Sequence, residues 1–176
     1  DPNMEQKNKL FMSKLFTHDI LFTPTLESAT IFRKLLQSIL KKGKKKRAQK
    51  LLLNVISLVQ STYPDVSKDI IFTQAIKNIQ PSFEFKKARV GGISQFIPGA
   101  KKPQKQENLA IRWILDLAKE KQRKTKILKT KQYGFEYFLS QEILAAYKNE
   151  SELKQKKLEI HKLAETNRAL AYQRWW

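Results

Sequence analysis

Residues 83–99 read FEFKKARVGGISQFIPG, and this stretch decides the fold because it breaks the periodicity on either side of it. Phe83 and Phe85 alternate with charged neighbours, Gly91 and Gly92 separate two β-compatible segments, and Pro98 and Pro103 bound the unit. Alternation at a period of two, interrupted by a glycine pair that tolerates positive φ, spells a β-hairpin at about 82–98 with its tip near Arg89–Gly92. Between Pro81 and Gln106 there is one acid, Glu84, against the six bases Lys86, Lys87, Arg89, Lys101, Lys102 and Lys105. A ribbon this basic has little to bury, so it is expected to project as an arm. The bland alternative is an edge ribbon that lysines protect against aggregation; Val90 and Ile93 beside the tip favour an arm that contacts a polyanion. The glycine pair lacks the GxGxxG or Gly-Lys-Ser/Thr context of a phosphate loop.

Outward from the hairpin the apolar period returns to that of a helix. On the N-terminal side Phe32, Leu35, Leu36, Ile39 and Leu40 form one stripe, opened by Thr25 or Glu27 and stopped at Gly43. Leu51, Leu52, Val55, Ile56 and Val59 define a helix at about 45–61, and Phe72, Ala75, Ile76 and Ile79 one at about 66–79 that Pro81 ends. Beyond the hairpin, helices are expected at about 105–121 (Ala110, Trp113, Ile114, Leu117, Ala118), 133–148 (Phe135, Phe138, Leu139, Ile143, Ala146) and 151–168 (Leu153, Ile160, Leu163, Ala164). A Lys-rich connector spans 119–131. Residues 1–24 are weakly patterned, with a possible short helix at 8–16, and read as an N-terminal extension. The expected architecture is a single-domain, mostly α bundle of about six helices over 25–176, with a protruding basic β-hairpin arm.

Composition narrows the function. The 176 residues include 35 Lys and Arg against 16 Asp and Glu, a formal net charge of +19 and a pI near 10.1. A compact fold with that charge repels itself, and a polyanionic partner is the natural compensation. No apolar run approaches 18 residues, so no membrane partner is expected. Without cysteine there are no disulfides, thiolate metal sites or Cys nucleophiles. His18 and His161 are far apart and lack ligand-spaced partners, so no metal or other cofactor is expected. No catalytic residue is assigned, since neither GxSxG, HExxH nor a distinctive carboxylate pair occurs. The opening DPNMEQKNKL has no apolar core of a signal peptide and is not an Arg- and Ser-rich transit helix. Lysine outnumbers arginine 28 to 7, a bias like that of AT-rich genomes.

The strongest binding candidate is the acid-free run Lys41, Lys42, Lys44, Lys45, Lys46, Arg47 and Lys50. It straddles one helix end and the next helix start, where free N–H groups suit phosphate. Lys86, Lys87 and Arg89 in the hairpin come next. Trp113 belongs to the apolar stripe of its helix, while Arg112 points away from it. His161 reads as an RNA contact or a structural hydrogen bond. Trp175 and Trp176 could stack on bases, dock on a neighbour or cover the core. A DNA-binding helical protein and an RNA-modifying enzyme are the rival classes. The arm and the scattered basic patches suit branched RNA better than duplex DNA, and no cofactor pocket motif supports an enzyme.

Four stretches carry a resemblance: KKGKKKRAQK at 41–50, AIKNIQPSFEFKKARVGG at 75–92, NLAIRW at 108–113 and HKLAETNRALAYQRWW at 161–176. Together, in this order and at these separations, they resemble the seventh ribosomal protein of the small subunit, over roughly residues 25–176. The IPG after the hairpin and the Trp–Trp ending resemble plant- or protist-type mitochondrial members, often organelle-encoded. The resemblance implies a structural, non-enzymatic role in translation. Its expected partners are small-subunit rRNA (the three-prime major domain, in the head), other ribosomal proteins of the head and platform, and nearby exit-site tRNA and mRNA, all in the mitochondrial matrix. Carried over residue by residue, it implies RNA contacts at Lys42, Lys44, Lys45, Arg47, Lys86, Lys87, Arg89, Arg112, His161, Asn167, Arg168 and Arg174. The hairpin's basic doublet is here Ala88–Arg89, one charge short of the family pattern. The segment between Trp113 and Glu142 is longer than in bacterial relatives and Lys-rich, which adds Arg123 and Lys124 as expected contacts.

Overall fold

The computed structural model describes residues 27–127 and 133–174. Six α-helices are present among them: α1 (Glu27–Ile39), α2 (Lys45–Thr62), α3 (Lys68–Ile79), α4 (Pro103–Ile127), α5 (Phe135–Tyr147) and α6 (Glu152–Thr166). The strands β1 (Phe83–Val90) and β2 (Ile93–Ala100) separate α3 from α4, and a short 3-10 helix (Arg168–Gln173) follows α6. The mostly α bundle with a hairpin is the architecture expected. The proposed helix at 8–16 and the terminal Trp175 and Trp176 lie outside the described residues.

α5 is the hub and packs against α2, α3 and α4, while α1 lies on α3 and α4. The stripes read from the sequence meet here: Phe32, Leu35, Leu52, Val55, Val59, Phe72, Ile79, Ile114, Leu139 and Ile143 are all buried in one cluster. Phe32 and Phe72 pack at 4.8 Å between ring centres. Asn78 fastens α3 to the end of α5, its amide donating to the carbonyls of Ala146 (2.9 Å) and Tyr147 (3.1 Å) in the helix's last turn. An ion pair of Lys34 with Glu107 ties α1 to α4.

Three expectations need correction. α4 runs to Ile127 rather than ending near 121, so much of the Lys-rich connector is helix. Pro103 occupies its first position, where the missing N–H costs nothing, and Lys, Gln, Arg and Glu are all good helix formers. Exposed pairs such as Glu120–Lys124 (2.8 Å) support the extension. The last helix becomes 3-10 after Thr166, and Leu163, expected in the core, is 47% exposed. Only Leu153 and Ala164 of α6 are buried, because α6 packs against β1 and the end of α3 rather than into the bundle.

The hairpin is an antiparallel ladder from Phe83↔Ala100 to Val90↔Ile93. Gly91 (φ 58) and Gly92 (φ 86) form its two-residue turn, the left-handed pair whose twist matches that of the flanking strands. Eight residues per strand give an arm about 26 Å long at about 3.3 Å per residue. Its root does pack: Ile97, Pro98 and Gly99 are buried, whereas Ile93 and Phe96 near the tip are exposed. Among the described residues no helix is long and apolar enough to cross a membrane.

Candidate nucleic-acid interface

The turn between α1 and α2 concentrates the charge. Lys42 (φ 51) and Gly43 (φ 71) are both left-handed. For a lysine that conformation costs about 1–2 kcal/mol, so a cationic side chain sits where glycine would be easier to accommodate. α2 then begins Lys45-Lys46-Arg47 with no acid in its first turn. Bases at a helix N-terminus oppose its macrodipole. The junction is therefore unfavourable for folding and favourable for an anion, which would meet the exposed side chains there.

The junction forms one wall of a groove of about 720 Å³, lined by Lys41, Lys42, Lys44, Arg47 and Lys50. The opposite wall comes from α4 and the head of α5: Lys119 and Gln122, then Gly134, Phe135 and Glu136. Glu136 is the single acid in this lining. Its carboxylate folds back so closely that a Cβ on Gly134 would sit 2.9 Å from it, placing its charge at the N-terminus of α5, where an anion is stabilised. Lys45 and Lys46 are exposed on the first turn of α2 but are not part of the groove wall. Sequence reading found the first wall. The second was not visible in it, because Lys119 and Gln122 reach the groove only through the packing of α4.

Seven of the other sequence-predicted residues fall into two further places. Lys86, Lys87 and Arg89 are exposed along β1, with Arg89 Nε donating to the Gly92 carbonyl across the turn (3.2 Å). His161, Asn167, Arg168 and Arg174 gather at the far end of α6 and in the 3-10 helix, against the arm's root. The Ser82 N–H donates to His161 Nε2 (3.2 Å), and Phe83 meets the same imidazole edge-on at 5.2 Å. Burial and the neighbouring Lys157 ammonium push the His161 pKa down, so the ring is neutral and accepts this bond. Lys157 in turn donates to the Asn78 carbonyl at the end of α3 (3.0 Å). The Arg174 guanidinium lies flat on Gly99: a Cβ there would be 3.2 Å from its Cζ and Nη1. Asn167 caps α6 by donating to the Leu163 carbonyl (3.0 Å). His161 and Arg174 thus seat the arm's root.

Arg112 is exposed on the outer side of α4, and Trp113 packs against the core with Lys156 Nζ 4.8 Å above its ring. Arg123 and Lys124 are exposed near the C-terminal end of α4. The Glu120 carboxylate bonds Lys124 and raises its pKa. Beneath them Lys121 bridges to Glu142 (2.5 Å), a buried carboxylate, and to Glu152 (3.5 Å). Burial works against the Lys121 charge, but the bond and the attraction from Glu142 outweigh it and raise the pKa. No group of three or more His, Cys, Asp or Glu that could hold a metal ion occurs among the described residues.

An acid-poor groove, a separate basic arm and a helical core that fixes both define a scaffold for a folded polyanion. A family model described as ribosomal protein S7p/S5e matches residues 6–168. The small ribosomal subunit protein uS7 of Thermodesulfovibrio yellowstonii is 35% identical over 158 residues, 89% of this chain and 94% of its own length. Those of Pelagibacter ubique and Nitratiruptor sp. are each 32% identical, over 169 residues (96% and 99%) and 145 residues (82% and 87%) respectively. The chain belongs to the ribosomal protein S7p/S5e family, and is a structural protein rather than an enzyme.

Proposed function

We propose that this chain binds rRNA in the head of a mitochondrial small ribosomal subunit, near the exit-site tRNA and the path of the departing mRNA, and supports translation by holding the RNA in shape. The observation that carries the rRNA reading is the groove with cations on both walls and one acid, itself turned onto a helix end. Lysine is a point charge, suited to phosphates of a packed RNA junction and poorly suited to bidentate base reading, so recognition is by shape. The arm reaches away from the bundle, as contact with a second RNA segment requires. Support for the organellar setting is compositional, the 28-to-7 excess of lysine over arginine, together with the resemblance of the IPG and Trp–Trp segments to mitochondrial members.

Two measurements test this. A folded fragment of the three-prime major domain should bind far more tightly than duplex DNA of equal length at physiological salt; equal affinity overturns the rRNA reading. Tagged chain should co-sediment with the mitochondrial small subunit at moderate salt. Co-sedimentation with a small subunit from another compartment overturns the organellar part alone.

A further inference from the structure

Alternate residues of a strand share a face, and the register sets Lys87 opposite Phe96 and Arg89 opposite Ser94. These four side chains therefore lie together on one face of the arm. All four are exposed, whereas Ala88 and Gln95, on the opposite face, are half-buried. Phe96 is 55% exposed, and its ring makes no aromatic or cation–π contact among the described residues. Lys87 stands directly across from it, about 5 Å away between Cβ atoms, and Arg89 lies on the diagonal at about 7 Å. The Lys87 side chain has no ion pair or hydrogen bond among the described residues. Arg89 gives its Nε–H to the Gly92 carbonyl, which leaves its terminal nitrogens for other acceptors. The arm's one acid, Glu84, sits at the root and is paired with Lys101 at 3.4 Å.

A single exposed phenyl is ordinary on a protein surface. This one is not explained by protection of a ribbon against aggregation, which puts charge at exposed positions rather than an aromatic ring. An open ring beside two cations, on a surface without an acid, combines the two components of single-strand recognition: a face for a base and charges for its phosphates. We propose that Phe96 is a stacking residue for an unpaired RNA base, with Lys87 and Arg89 holding the phosphates that flank it. The proposal rests on the rRNA reading above and adds a kind of contact that reading lacks. Lys87 and Arg89 are about 7 Å apart along β1, at about 3.4 Å per residue, and so can hold the two sides of one nucleotide. An apolar protein surface is a poorer fit, because covering Phe96 would desolvate both cations without neutralising them. Stacking is tolerant of base identity, so the site selects a nucleotide that has left its helix, not a sequence.

The test uses the full chain and two nine-nucleotide RNAs at low salt, one with 2-aminopurine at its centre among uridines and one with an abasic centre. The chain should quench 2-aminopurine and bind the base-bearing RNA about tenfold more tightly than the abasic one. Phe96→Ala and Phe96→Leu should both lose the quenching and the tenfold preference while keeping the parent's abasic affinity. Phe96→Tyr, which keeps the ring, should behave as the parent. Lys87→Ala combined with Arg89→Ala should weaken both RNAs alike. Quenching retained in Phe96→Leu would show an apolar contact instead of a stack, and overturns the proposal. Equal weakening on both RNAs in Phe96→Ala overturns it too, and no change on either leaves Phe96 to a protein neighbour. The rRNA reading is judged separately, by the parent chain's preference for the folded three-prime fragment over duplex DNA, so the two failures are distinguishable.

Discussion

Replacing Lys44, Arg47 and Lys50 together with alanine should separate folding from binding in opposite directions. All three are exposed and line the groove. Lys44 precedes α2 and makes no side-chain cap bond, so truncating it removes no cap. Arg47 opposes the helix dipole, and its loss should stabilise by about 0.3–1 kcal/mol; alanine at 47 and 50 is at least as good a helix former. With the self-repulsion of a +19 chain also eased, stability should be unchanged or higher by about 1 kcal/mol. Binding should move the other way. Each neutralised phosphate contributes about 0.7–0.9 to the slope of log K against log salt. Three lost contacts should therefore flatten that slope by about 2–2.7 and cost about a hundredfold in affinity at 0.1 M salt. Anisotropy titrations of a labelled rRNA fragment across a salt series, beside thermal unfolding, give both numbers. An unchanged slope with an intact fold refutes the groove assignment. Lower stability refutes the claim that these charges oppose folding.

Three further outcomes are expected. Ile97→Ala should cost about 2–4 kcal/mol in denaturant unfolding, because this side chain is fully buried at the arm's root, while Ile93→Ala at the 65% exposed tip should stay within about 0.5 kcal/mol; equal costs would mean the arm packs along its whole length. Lys121→Met strands the buried Glu142 carboxylate and should destabilise by about 3 kcal/mol or more; adding Glu142→Gln should recover most of that loss, and simple additivity would show that the two side chains are not coupled. The depressed His161 pKa means the unfolded chain binds its proton first as pH falls below about 6.5, so the unfolded state gains stability there. Stability should accordingly rise with pH through that window, and the rise should shrink in His161→Gln; an identical profile in the variant would remove His161 as its source.

How much was legible depended on whether a feature was local. The stripes of α1, α2 and α3 came from spacing alone, and the hairpin turn came from Gly91–Gly92, because helix faces and two-residue turns are set by neighbours in sequence. α4 was read too short because a Lys-rich run without apolar period resembles a linker, although its residues favour helix and pair with one another along it. Leu163 was placed inside because its spacing fits, but α6 packs by its edge and leaves that side chain in water. At the interface, seven bases without an acid made the α1–α2 junction visible. Its partner wall was invisible, since Lys119, Gln122 and Gly134 meet the junction only once α4 and α5 have docked. The Ser82–His161 bond spans 79 residues, and nothing in either local sequence announces it.

That separation has a consequence for synthesis. The strands of the arm leave the ribosome long before the residues that brace their root, because Ser82 waits for His161 and Gly99 for Arg174. A chain interrupted after α5 lacks Leu153 of the core cluster and both of the side chains that brace the arm's root. The arm's root is therefore braced only once α6 and the segment through Arg174 have been made.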